Sequence, residues 1–555
     1  MTRADLLLFA SGLLAACQCA GLKEGLKFTC DAQTDCLDGV ETCVAGYCET
    51  DGGMAGGSGG AGGGAPTCAD AGLDVPDDLF LDSDCDGMDG TLALGVFVDP
   101  VSGSDLNDGT SAAPVQTLAA AFDVATHRGS PHIYLASGVY SAESVKWEAD
   151  PSLYGGYTPS QDGGPWSRDS SRALLDGGTT ALLAVNRLRP SRMRELVQVD
   201  VRAAPASVPS ERSVALHGEG VLLTLRHVTL VAGDGAHGLD GGVATDGVSG
   251  EPGHDGGAGS LVSGTGLLVP GGQGGASPCG QGTRGGDGTS TNGMSGQDGG
   301  AGGAAAGNGS CVSCPCMPAL VPDAGSAGPI VQPVNGASGG GGRGGSGLGS
   351  FDGGAWVAAH GRDGQPGNPG RPGRGGGAGG AARISNLTVF GSSGGGGGGA
   401  GCPGGGGAAG QGGGASIALL LFDADVTVAD VKLVTGSGGN GGAGAPGGAG
   451  GQGGAGGLGG PRVQVRCIDG GFVVGSPLGV SDANAFGAAG GDGSRGGNGG
   501  SGGPGGGGGG GPSVGAWCEG VSIVRGGFTT QLGPGGQGAG DGGTGQVHDQ
   551  LRCGS

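Results

Sequence analysis

The chain has 555 residues, 149 of them glycine, with only 36% hydrophobic and 4% aromatic, so much of it lacks the side chains for a conventional core. A formal charge of −23 repels phosphate backbones and anionic lipid surfaces, which argues against nucleic acid and leaves solubility or divalent cations as uses for the surplus carboxylates. Glycine in such excess implies disorder unless it recurs with a regular period.

Residues 1–16 carry Arg3, an apolar run from Leu6 to Ala16, and Leu14, Ala15 and Ala16 directly before Cys17. The pattern resembles a bacterial lipoprotein signal, which implies cleavage before Cys17, lipidation of its sulfur and a membrane as partner, in the cell envelope at the outer membrane or cell surface; an ordinary cleaved signal is the alternative. The run is far short of the ~20 residues of a spanning helix. Sixteen cysteines in an exported chain read as disulfides. In residues 17–50, Cys30, Cys36, Cys43 and Cys48 form a cluster too small for a core and held by bridges; it resembles small cysteine modules of predatory-bacterium surface lipoproteins. Residues 51–66 are a Gly/Ser-rich tether.

Residues 67–95 hold Asp82, Asp84 and Asp86 followed by Gly87, the first half of a calcium loop, but Ala93 stands where an EF-hand has its bidentate Glu. Calcium at a looser site is one reading, an acidic turn closed by a Cys68 to Cys85 bridge the other; no cofactor is required. Val98, Asp99, Gly103, Ser104, Asp105, Asn107, Gly109, Thr110, Pro114, Thr117, Ala121, Gly138 and Tyr140 carry a resemblance to uncharacterised bacterial surface proteins of the pectin-lyase-like superfamily, over about a hundred residues. That resemblance implies a right-handed parallel β-helix whose first turn is closed by a short helix, here residues 117–126, with Leu118, Ala121, Phe122 and Ala125 on one face.

Ser213 to Val231 and Ser416 to Val434 align without a gap at an offset of 203, each with a two-residue break in its alternation, as where a strand turns a corner. The expected fold is all-β, a right-handed parallel β-helix solenoid with glycine-rich insertions and a small disulfide-rich N-terminal module. Its parts are 96–235, the insertion 236–381, rungs in 382–435, the insertion 436–512 and a terminal rung in 513–555. Residues 438–461 parse as triplets such as G-G-N and G-G-A, matching the three residues per turn of a polyproline-II-like helix, with a disordered linker as the rival. Cys279, Cys402, Cys467, Cys518 and Cys553 lie beside these arms, where bridges would pin them, in pairings the sequence does not give. Cys311, Cys314 and Cys316 lack the second pair or histidine of a zinc site and read as disulfide cysteines.

No constellation of reactive residues recurs at a mechanistic spacing. Asp423, Asp425, Asp430 and Lys432 on one strand course, with His217 and His227 on its counterpart, are surface-site candidates. The expected function is a surface structural, adhesive or glycan-binding role, with polysaccharide or another cell surface as partner. The alternative is a carbohydrate-active enzyme, a lyase or hydrolase on acidic polysaccharide.

Overall fold

The computed structural model describes residues 41–44, 47–50, 74–141, 145–148, 150–186, 193–263, 268–297, 299–305, 322–326, 328, 333–384, 387–468, 471–475 and 485–554. The chain divides into Met1–Ala69 and Asp70–Ser555. In the first unit, Glu41–Val44 and Tyr47–Thr50 pair as an antiparallel hairpin.

The second unit is all-β apart from one α-helix and a short 3-10 turn among the described residues. Its body is two parallel sheets. The six-stranded sheet runs, in hydrogen-bonded order, Val547–Leu551, Ser513–Glu519, Ser416–Phe422, Ser213–Glu219, Thr180–Val185 and Val145–Trp147. A twelve-stranded sheet faces it across a core that includes Leu216, Leu225, Val228, Leu419, Val426 and Leu433. Ser213 pairs with Ser416, Leu222 with Asp425 and Val231 with Val434, at the constant offset of 203 visible in the sequence. The two-residue break in each alternation falls at a backbone turn: His227 and Asp430 hold φ of 55° and 51°, so each long strand bends and its burial phase resets.

The helix spans Leu118–Arg128 and buries Leu118, Ala121, Phe122 and Ala125. Thr117 starts it by accepting the Ala120 N–H, and Gly129 ends it in the left-handed conformation, φ 68°.

Two expectations need correction. The fold is not a sequential right-handed β-helix of the pectin-lyase-like kind but a pair of curled parallel sheets forming a half-barrel. The twelve-stranded sheet doubles back, from Met193–Val197 to Leu222–Val231 and then to Val199–Ala203 and Ala173–Gly177, so its order is irregular and widely spaced. Alternation says which face of a strand is buried; it does not say which strand lies beside it. The disulfides with both cysteines among the described residues, too, lie in the middle and at the end of the chain rather than in a small N-terminal module: Cys279 to Cys402 and Cys518 to Cys553. Cys85 is also disulfide-bonded. Cys17, Cys30, Cys36 and Cys68 lie outside the described residues, as do the side chains of Cys43 and Cys48.

The glycine-rich segments are ordered runs hydrogen-bonded side by side. The N–H groups of Gly238, Gly241, Gly247, Gly250 and Gly253 donate to the carbonyls of Asn440, Ala443, Ala449, Gln452 and Ala455. Gly442, Gly448, Gly451, Gly454 and Gly457 donate in turn to Gln411, Gly405, Cys402, Gly399 and Gly396, running antiparallel. A three-residue step between bonds is that of an extended threefold helix; a β-ladder would step by two. Segment 391–415 lies at the centre, bonded to residues in 236–257, 272–275, 283–286, 361–379, 439–460 and 491–509. Threefold geometry aims successive residues at different neighbours, so the number of glycines per triplet follows the number of faces covered. A Cβ on Gly396, Gly397 or Gly398 would stand 2.0, 2.2 or 2.0 Å from the carbonyl oxygens of Gln273, Gly373 and Gly454. Residues 394–399 are accordingly all glycine and all buried.

The edge run 234–255 needs glycine on fewer faces and uses the others for polar side chains. Asp234, His237, Asp240, Asp246, Ser249 and Asp255 each accept a backbone N–H from the residue 203 positions later. Part of the acidic surplus therefore satisfies donors that the three-residue pattern leaves over.

Candidate metal centre

Segment 74–92 packs on the twelve-stranded sheet. Met88 anchors it, buried among Phe97, Tyr134, Tyr154, Tyr157 and Trp166. Asp89 fixes it further through an ion pair with Arg168, 2.6 Å, in which both side chains are 1% exposed. Arg168 also donates to the carbonyls of Asp77 and Gly155, and the Tyr157 hydroxyl donates to the Asp89 carbonyl.

Within this frame the chain turns on its own aspartates. Oδ2 of Asp74 accepts the Gly90 N–H at 2.8 Å, Oδ2 of Asp82 accepts Gly87 at 3.0 Å, and Oδ1 of Asp84 accepts Asp86 at 3.3 Å. These carboxylate-to-backbone bonds, with Gly87 at φ 104° and Gly90 at φ 99°, fold a short stretch tightly enough to bring like charges together. Asp74, Asp82 and Asp84 each place one carboxylate oxygen so that all three lie within 4.8 Å of one another. Oδ1 of Asp82 is buried and has no hydrogen-bond partner. Burial raises the pKa of Asp74 above 3.8, and the Asp84 and Asp77 charges add to it. Asp86 shifts the same way, by burial first and then by the Asp84 and Asp82 charges. A cluster of this kind can coordinate a divalent cation.

Asp82 and Asp84, read from their spacing, stand in this group. Asp86 bonds instead to the N–H groups of Met88 and Leu92. Asp74 was not legible: it lies eight residues before Asp82, and the bonds that bring it back beside the loop, with Thr91, Gly90 and the Ser83 N–H, are tertiary ones that no spacing encodes.

The surface candidates are held apart by separate partners. Asp423 sits in the turn before its strand, φ 48°, and accepts the Val521 N–H. Asp425 pairs with Arg525 at 2.8 Å. Asp430 meets Nδ1 of His227 at 2.7 Å, while Nε2 of that ring faces Asp78 at 3.4 Å. Lys432 is exposed, and His217 is buried on the six-stranded sheet. With the solenoid corrected to a half-barrel, the adhesive or glycan-binding reading and the lyase or hydrolase reading both lose the architecture on which they rested.

Among the described residues no helix is long and apolar enough to cross a membrane. The chain matches no family model, no curated protein and no solved structure.

Proposed function

We propose that the protein is a calcium-stabilised extracytoplasmic structural protein, in which Ca²⁺ bound by Asp74, Asp82 and Asp84 fastens segment 74–92 to the half-barrel. The observation that carries this is the buried, unpartnered Oδ1 of Asp82 beside two more carboxylates. Two oxygens on opposite sides of one Ca²⁺ stand roughly 4.6–5.2 Å apart, so one ion fits oxygens within 4.8 Å of one another. It would also offset the like-charge repulsion and supply the missing partner of Asp82. Calcium suits the site better than magnesium, because an irregular loop of carboxylates and carbonyls tolerates calcium's loose geometry and magnesium demands a near-ideal octahedron.

Titration of EDTA-stripped protein with CaCl₂ in a calorimeter tests this. The expected result is one saturable site that Asp82→Ala with Asp84→Ala abolishes and that MgCl₂ fills more weakly. Absence of calcium heat in the parent would refute it.

The proposal extends to location. Leu14, Ala15 and Ala16 before Cys17 support lipidation of that cysteine and tethering to the envelope. Labelled palmitate incorporated by the parent and lost in Cys17→Ser is the expected outcome; an unlabelled parent would remove the anchor.

A further inference from the structure

The glycine runs 333–347 and 358–381 are joined by a hairpin, Ser350–Asp352 with Ala355–Val357, that lies against the outer face of the six-stranded sheet. Its turn is Gly353 and Gly354, both at positive φ, 54° and 83°, as a two-residue hairpin loop requires. Phe351 stands edge-on to Trp517 at 5.2 Å, Phe422 at 5.3 Å and Trp356 at 5.4 Å.

The polar atoms under this aromatic cover are not satisfied. His217 occupies a cross-strand row that runs Lys146, Leu183, His217, Leu420, Trp517 and Leu551. It is 9% exposed, and its Nε2 has no partner. Its ring lies 5.2 Å from Phe422. Burial and the nearby Arg212 charge lower its pKa to about 4, so at neutral pH the imidazole is uncharged and carries one N–H.

Arg212, at the start of the same strand, stacks its guanidinium 5.4 Å from the Phe351 centroid. Its Nε is buried and unbonded, and none of the ion pairs among the described residues includes it. The adjacent Glu211 carboxylate is turned to Thr179 and Val208. The Trp356 Nε1–H is buried without an acceptor as well. Three donor groups lie along this aromatic cover, the Arg212 guanidinium and the Trp356 indole against Phe351 and His217 against Phe422. Arg212 is half-buried, and the carboxylate that acts on its charge, Glu211, spends its hydrogen bonds elsewhere, so the cover forms a cradle for negative charge.

We propose that the aromatic seam between the hairpin and the six-stranded sheet binds a small monovalent anion, a halide or a short carboxylate, held by Arg212, the Trp356 indole N–H and Nε2–H of His217. Aromatic walls exclude larger, heavily hydrated anions, and the single positive charge sets the preference for one negative charge.

The test is thermal melting of the full chain in sodium chloride, bromide, formate and gluconate at equal ionic strength. The small anions are expected to raise Tm saturably over gluconate, which is too large to enter, and the anion with the tightest half-saturation identifies halide or carboxylate as the occupant. Arg212→Met should abolish the rise. Trp356→Phe, which keeps the aromatic cover and removes one donor, should weaken half-saturation by about tenfold and remains informative if the arginine variant does not fold. Equal Tm in all four salts, or an unchanged half-saturation in Trp356→Phe, would overturn the assignment. So would a bromide derivative with no anomalous peak between Arg212 and Trp356.

Discussion

Gly397→Ala adds one methyl group at the centre of the glycine bundle, and the structure sets its cost. The new Cβ would stand 2.2 Å from the Gly373 oxygen and 2.3 Å from its carbonyl carbon. Relieving this to an ordinary contact moves one backbone away from the other by about 1 Å, because no flexible side chain is present to yield. That shift strains the bonds from Gly373 N–H to Gly398, Thr283 N–H to Gly373 and Gly397 N–H to Thr283, now 2.8, 3.0 and 2.8 Å. At a net value of about 1 kcal/mol each, the loss is ~3 kcal/mol, offset by ~0.5–1 kcal/mol because alanine restricts the unfolded chain. The expected net destabilisation is therefore about 2 kcal/mol. Gly242→Ala is the control: a Cβ there has nothing within 4 Å and no positive φ. Unfolded-state restriction alone should make it neutral or stabilising by about 0.5 kcal/mol. Pulse proteolysis across a urea series reads both variants. If they agree within about 0.5 kcal/mol, close backbone packing does not explain the glycines.

Asp89→Ala leaves Arg168 charged and buried without its carboxylate, and should cost roughly 3–5 kcal/mol in a urea midpoint assay, whereas Asp176→Ala, which breaks the exposed pair with Arg202, should cost under about 1 kcal/mol. Equal costs would contradict the burial argument. A folded-state pKa raised above the unfolded value, as for Asp74 and Asp86, contributes stability below the unfolded pKa and loses it as pH rises through the folded one. The metal-free loop is thus disfavoured at neutral pH, and protons compete with calcium as pH falls toward 3.8; the calorimetric calcium affinity should weaken steadily from pH 7 to pH 5, and a constant affinity would contradict the linkage. Replacing Cys279 and Cys402 by serine opens a closure across 123 residues and should cost about 2–5 kcal/mol, read as new proteolytic cleavage in the run 271–288. Unchanged cleavage there would show that the hydrogen bonds alone hold this run.

What the sequence disclosed depended on whether a feature is local. The offset of 203 survives as strand register because Ser213 to Val231 and Ser416 to Val434 lie side by side, so their side chains face the same core. The helix face Leu118, Ala121, Phe122 and Ala125 was legible because 3.6-residue spacing determines it alone. The G-G-X period carried the threefold geometry, and the uninterrupted glycines at 394–399 mark the run enclosed on every side. Sheet order was hidden, since Leu222–Val231 and Val199–Ala203 become neighbours by a doubling-back that no pattern within either strand encodes. Asp74 was hidden likewise, joined to Asp82 and Asp84 through Thr91 and Gly90 rather than by spacing. Arg212 and Trp356 meet at Phe351, and Phe351 meets the Phe422 that packs on His217, only because a hairpin from a glycine run crosses a sheet face.

Native-state hydrogen exchange of residues 391–415 and 438–460 tests most directly the claim that the glycine-rich runs form one hydrogen-bonded bundle. The structure predicts slow exchange for amides donating between runs, Gly398, Gly401, Gly404, Gly442, Gly448 and Gly454 among them, with protection rising toward the enclosed centre. Exchange of those amides at the rate of an unstructured chain would contradict it.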